Sequence, residues 1–127
     1  MPKTKTWNPK YLSGCVQHAL ILLPKDAPAI DLFKEAANNL ECTITGDCRA
    51  YRRQLNGGIS RLRRLKRLEP WEHWLLSAAE QLLQPAPGTK HGAVTLLFLA
   101  VDEYNFELGT QFRRWHDQHT IEEPAYL

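Results

Sequence analysis

The segment Ala93-Val94-Thr95-Leu96-Leu97-Phe98-Leu99-Ala100-Val101-Asp102-Glu103-Tyr104-Asn105-Phe106-Glu107-Leu108-Gly109-Thr110-Gln111-Phe112-Arg113-Arg114-Trp115 carries the strongest periodic signal in the chain. Val94, Leu97, Phe98, Val101, Tyr104, Leu108, Phe112 and Trp115 recur at three- and four-residue spacing, which keeps them on one face of an α-helix. The pattern predicts one helix of about six turns. Its early part is apolar nearly all round, as in a helix central to a bundle. Gly109 is the one place where it would bend. The most apolar run, Ala93 to Val101, is too short to cross a bilayer, which takes about 20 residues.

Upstream, Gln84-Pro85-Ala86-Pro87-Gly88 reads as a stiff connector between helices. Before it, Pro70 suits the first turn of a helix carrying Trp71, Trp74, Leu75, Ala78 and Leu82, with Glu72 near its positive end. Glu69-Pro70 also ends whatever helix precedes it, because proline disfavours the helical conformation of its predecessor. That preceding helix, capped by Asp47, has Tyr51, Leu55, Ile59 and Leu62 in one stripe. Gly57-Gly58 lies in its interior, at a cost of about 1 kcal/mol per glycine, so a kink or break is expected there.

Toward the N-terminus, Asn8-Pro9 is a helix start, and Leu12, Cys15, Val16, Ala19, Leu20 and Leu23 form a stripe that Pro24 ends. Asp26 suits the cap of a helix from about 28 to 40, with Ile30, Phe33, Ala37 and Leu40 inward. Cys42-Thr43-Ile44-Thr45 alternates weakly, and a lone strand makes no sheet, so it is assigned to a loop. Residues 1–8 and 120–127 lack a period and are expected to be loosely ordered tails. The predicted architecture is all-α: a single domain over 1–127, a compact bundle of about five helices, the last long and central, with no significant sheet.

At 127 residues, 43% apolar and 24% charged, the chain closes one core without needing metal or disulfides. The N-terminus lacks the apolar centre of a secretory signal, and three cysteines are an odd number, so a reducing, cytoplasmic location is expected.

The net charge of +2 conceals a segregation of signs. Arg49, Arg52, Arg53, Arg61, Arg63, Arg64, Lys66 and Arg67 fall in an acid-free stretch holding eight of the sixteen basic residues, while acids crowd the last quarter. Apolar Ile59, Leu62, Leu65 and Leu68 alternate with the cations, so this segment can pack on one side and display guanidinium groups on the other. Arginine's planar fork suits phosphate and carboxylate. Three readings follow: a phosphate-tracking surface for DNA or RNA, a dock for an acidic protein, or a solvated face matched internally by Asp102, Glu103 and Glu107. Tyr51 and Trp71 are the candidates to stack on an unpaired base, Trp71 being expected at the surface and Trp74 in the core. A helix-turn-helix fits poorly, because the cations precede the Glu69-Pro70 corner and the next helix opens with an acid and tryptophans. Contact with the nucleic-acid backbone is therefore expected rather than base readout.

Cys15, His18, Cys42 and Cys48 supply four possible ligands for a structural zinc, although their spacing is unlike the common zinc ribbons. His116 and His119, with Asp117, are candidates for an open metal site, but basic groups also suit a helix C-terminus. Glu69-Pro70-Trp71-Glu72 copies half of the E-x-x-E and E-x-x-D carboxylate pattern with which all-helical nucleotide pyrophosphohydrolases hold magnesium. Asp102-Glu103 lacks the spacing of the other half. Gly57-Gly58 lacks the rest of a phosphate-binding loop. The sequence therefore predicts a non-enzymatic nucleic-acid-binding module without cofactor or membrane partner. The alternative is a small adaptor or inhibitor docking on a nucleoprotein machine, with Asp102, Glu103 and Glu107 forming an acidic ridge that mimics nucleic acid. A metal-dependent hydrolase would need ligands clustered around His116 or Glu72.

Overall fold

The computed structural model describes residues 9–25, 27–40, 48–83 and 87–121. Among them are six helices and no strand: α1 (Pro9–Leu22), α2 (Pro28–Asn38), α3 (Arg49–Arg63), α4 (Pro70–Leu82), α5 (Pro87–Tyr104) and α6 (Phe106–Ile121). Prolines stand at the head of four of these helices, where the missing N–H costs no intrahelical bond. Asn8, Asp26, the Cys42–Thr45 segment, Asp47 and most of both tails lie outside the described residues. At α2, Ala27 occupies the N-cap in an extended conformation and makes no side-chain cap. The expected connector is shorter than its sequence suggests, because Pro87 and Gly88 already belong to α5.

The largest departure is at Asn105. The segment expected to form one long helix is two, and α6 folds back along α5. Asn105 N–H still bonds Val101 O at 2.8 Å, and Asn105 O accepts from Gly109 N–H at 3.0 Å, so the last bond of α5 and the first of α6 meet on one residue. Its side-chain Oδ1 accepts the Leu108 N–H at 3.2 Å, satisfying one of the donors orphaned at the start of α6. In a straight helix Phe98 and Phe112 would stand about 21 Å apart. Here their ring centroids are 4.6 Å apart, and Phe112 is fully buried. Both halves carry an apolar face at the same spacing, so the periodicity runs through the reversal without registering it.

Gly109 makes this return possible. A Cβ there would fall on the carboxylate of Asp102, and even the Asp102 Cα would be only 3.1 Å away. Arg113, one turn further on, donates through Nη1 and Nη2 to the two Asp102 oxygens at 2.6 and 2.5 Å, and its guanidinium carbon lies 5.3 Å from the Phe98 ring centroid. The hydrogen bond to Asp102 raises the Arg113 pKa above its ordinary value, against a smaller opposing effect of burial.

α3 differs from expectation in the other direction, being continuous through Gly57-Gly58. The glycines serve the packing of α2 against α3: a Cβ on Gly58 would stand 2.7 and 2.8 Å from Cζ and Cδ1 of Phe33 and closer still to Cε1. Phe33 is itself buried. The helix therefore tolerates the poor propensity because α2 takes the space left free.

The pairs α1–α2, α2–α3, α4–α5 and α5–α6 run antiparallel, whereas both ends of α3 reach the last turn of α4, Tyr51 at Leu82 and Arg63 at Glu80. Ser13 Oγ on α1 donates to Ala37 O on α2 at 2.8 Å, and Trp71 at the start of α4 meets Tyr104 at the end of α5. At the other end of that pair, Gly92 of α5 lies against the side chain of Gln81. α1 closes the bundle by packing on α5 and α6, with Gly14 beneath Trp115. Val16, Leu20, Phe33, Leu40, Leu55, Leu75, Leu82 and Leu97 surround a void of about 10 Å³, room for about one water.

Candidate polyanion-binding surface

The buried side of α3 consists of Tyr51, Leu55, Gly58, Ile59 and Leu62. At about 100° per residue, Arg53 and Arg64 point directly away from Leu62 and Leu55, and they share one outward line about 16 Å long. Arg52 and Arg63 flank that line on one side and Arg61 on the other. All of these side chains are exposed, as is Arg49. Arg64 is the C-cap of α3, and after it the chain turns through Leu65, Lys66 and Arg67, also exposed, before Pro70 starts α4. Cations at this end face the partial negative charge of the helix C-terminus, which favours them by a few tenths of a kcal/mol to about 1 kcal/mol each.

The carboxylates expected to neutralise this surface are placed elsewhere. Asp102 is held by Arg113, while Glu103 and Glu107 are exposed on either side of the reversal at Asn105. Arg63 pairs with Glu80 of α4, with both side chains largely in water. Such a pair is worth at most about 1 kcal/mol and yields readily to a competing anion. Among the described residues, Arg52, Arg53, Arg61, Arg64, Lys66 and Arg67 form no ion pair.

The two aromatic candidates are corrected. Tyr51 is in the core, and its hydroxyl donates to Leu82 O at 2.8 Å, which ties the start of α3 to the end of α4. Trp71 is buried with its edge toward Tyr104 at 5.9 Å, and Trp74 is the half-buried one, the reverse of the expected order. Neither Tyr51 nor Trp71 is placed to stack on a base. The exposed aromatics are Tyr104 and Phe106, which the periodic reading assigned to the interior or left unremarked. Asn105 followed by Glu107 is the signal that was available, since an Asn with an acid in the next turn marks a helix start.

Three of the four zinc candidates lie among the described residues. Cys15 is fully buried among apolar side chains, Cys48 is half-buried at the N-cap of α3, and Cys42 lies outside the described residues. The His18 ring lies parallel to Trp115 with centroids 4.6 Å apart. His116 turns its ring edge-on to Phe98, and the His119 side chain lies outside the described residues. Glu69 and Glu72 form a capping box: Glu72 Oε1 accepts the Glu69 N–H at 2.7 Å while the Glu69 side chain accepts the Glu72 N–H. Their spacing is thus accounted for by the start of α4. Among the described residues no three histidine, cysteine or acidic side chains gather where a metal ion could be held.

Comparison of the chain with protein-family models, with curated proteins and with solved structures finds no match. Among the described residues no helix is long and apolar enough to cross a membrane. The class defined among the described residues is therefore an all-helical bundle with an arginine-rich face on α3.

Proposed function

We propose that this chain is a non-enzymatic nucleic-acid-binding module that holds phosphates along the outward face of α3 and the corner that follows it. The observation that carries this reading is the set Arg52, Arg53, Arg61, Arg64, Lys66 and Arg67, exposed and without an ion pair among the described residues. Arginine binds phosphate oxygens through two parallel N–H donors, and each neutralised phosphate releases counterions. Contact is expected with the sugar–phosphate backbone, since the two aromatics nearest the cations in sequence, Tyr51 and Trp71, are buried.

Titration with single- and double-stranded RNA and DNA at two salt concentrations tests this. Binding should weaken linearly in log–log form with salt, by a slope of about 0.7–0.9 per phosphate contacted. Arg53→Glu with Arg64→Glu should lower affinity at least about tenfold and flatten that slope, while the helical circular-dichroism signal stays intact. Unchanged binding by the double variant would remove the assignment.

A further inference from the structure

Phe106 is 72% exposed and Tyr104 42% exposed, side by side at the reversal between α5 and α6. Large aromatic side chains are rarely left so open, and aromatics are enriched at the centres of protein interfaces. Glu103 and Glu107 flank them, both exposed and without an ion pair among the described residues. The knob is therefore apolar with an acidic rim, and it fits a surface that is apolar with a basic rim.

The same chain carries such a surface. Leu65 is 38% exposed in the corner after α3, with Arg64, Lys66 and Arg67 around it. The two patches do not cover each other within one molecule, since both apolar groups stay open. Both lie toward the same end of the α4–α5 pair, because the corner leads into α4 just before Trp71, whose ring meets Tyr104 at 5.9 Å. Complementary patches on one chain permit a two-fold dimer, each copy offering its knob to the other's corner.

We infer that this tip is a self-association surface, where the Tyr104 and Phe106 knob with Glu103 and Glu107 of one copy meets Leu65 with Arg64, Lys66 and Arg67 of a second copy. The inference does not rest on the nucleic-acid reading. It shares Arg64, Lys66 and Arg67 with it, so a bound polyanion and a second copy compete for them.

Sedimentation velocity of the full chain without nucleic acid, over a concentration series at low and high salt, tests it. A concentration-dependent dimer that weakens in high salt is expected, with Phe106→Ser raising the dimer Kd about tenfold or more. Glu103→Arg with Glu107→Arg, and separately Arg64→Glu with Arg67→Glu, should each be monomeric at concentrations where the parent dimerises. Mixing the two variants should restore a dimer, because opposite charges again face each other in both contacts. A parent that stays monomeric throughout, a dimer untouched by Phe106→Ser, or a mixture that remains monomeric would each overturn the inference. A parent chain that dimerises but binds no nucleic acid would count against the preceding proposal alone.

Discussion

Replacing Gly58 by alanine separates what helix propensity dictates from what packing dictates. Propensity alone favours the change by about 1 kcal/mol, because alanine is the best helix former and glycine the worst residue short of proline. The packing of α2 on α3 opposes it: the new methyl would stand 2.7 and 2.8 Å from two ring carbons of buried Phe33 and closer to a third. Overpacking a close-packed core costs about 1–3 kcal/mol. Gly57 supplies the internal control, since its Cβ would meet only the tip of half-buried Leu32, at 3.2 Å. The propensity gain is common to Gly57→Ala and Gly58→Ala and cancels in their difference, which leaves the overpacking of about 1–3 kcal/mol. For a chain of this size that is a melting-temperature gap of about 4–12 °C, with Gly57→Ala the more stable. Thermal and urea denaturation of both variants, followed by circular dichroism, measures it. Phe33→Leu trims the ring, so Gly58→Ala should turn favourable in that background, a coupling that a double-mutant cycle reads directly. If Gly57→Ala and Gly58→Ala stabilise the parent equally, the close approach of Phe33 to α3 is wrong.

The remaining expectations concern other joints of the bundle. Tyr51→Phe removes the hydroxyl that donates to Leu82 O and should cost about 1 kcal/mol in urea denaturation, with the helical signal unchanged. Glu72→Ala opens the capping box of α4 and should cost about 1 kcal/mol, whereas Glu72→Gln, which keeps an acceptor for the Glu69 N–H, should retain most of that. Gly109→Ala places a methyl on the Asp102 carboxylate and should break its pair with Arg113, so that hydrogen exchange accelerates in α6 before the rest of the bundle. Arg113→Lys should recover only part of the loss caused by Arg113→Ala, because an ammonium cannot make both bonds to Asp102 at once.

Helix positions were legible where one physical signal acts alone. Pro9, Pro28 and Pro70 head their helices, and the described stripe residues of α1 through α4, Trp74 excepted, are buried, because period and burial are the same fact in an amphipathic helix. Signals failed where two causes share one residue. The glycines of α3 suggest a kink by propensity and permit a crossing by volume, and only the position of Phe33 decides between them. Trp71 and Trp74 both sit at inward-compatible spacing, and which one is buried depends on the neighbour, Tyr104, which no local pattern reveals. The cationic face was visible at once, since the sign of a side chain needs no structure to be known. Its neutralisation was not, because that depends on which carboxylates arrive within reach.

The reversal at Asn105 links the bundle's shape to its free charge. On a straight helix Asp102 and Arg113 would lie about 16 Å apart along the axis, beyond the reach of either side chain, and Asp102 would remain available to the arginines of α3. Folding α6 back brings Arg113 onto Asp102, with Gly109 clearing the space, so the most enclosed of the three C-terminal carboxylates is satisfied inside its own hairpin. The same turn pushes Tyr104 and Phe106 outward with Glu103 and Glu107 beside them. The reversal at Asn105 thus leaves Asp102 paired with Arg113, and Glu103 and Glu107 exposed beside Tyr104 and Phe106. Asn105→Ala should therefore alter more than stability: removing the acceptor for the Leu108 N–H favours a continuous helix, and small-angle scattering should then show a longer particle with Phe112 exposed. A particle of unchanged dimensions would mean that burial of Phe112 alone dictates the reversal.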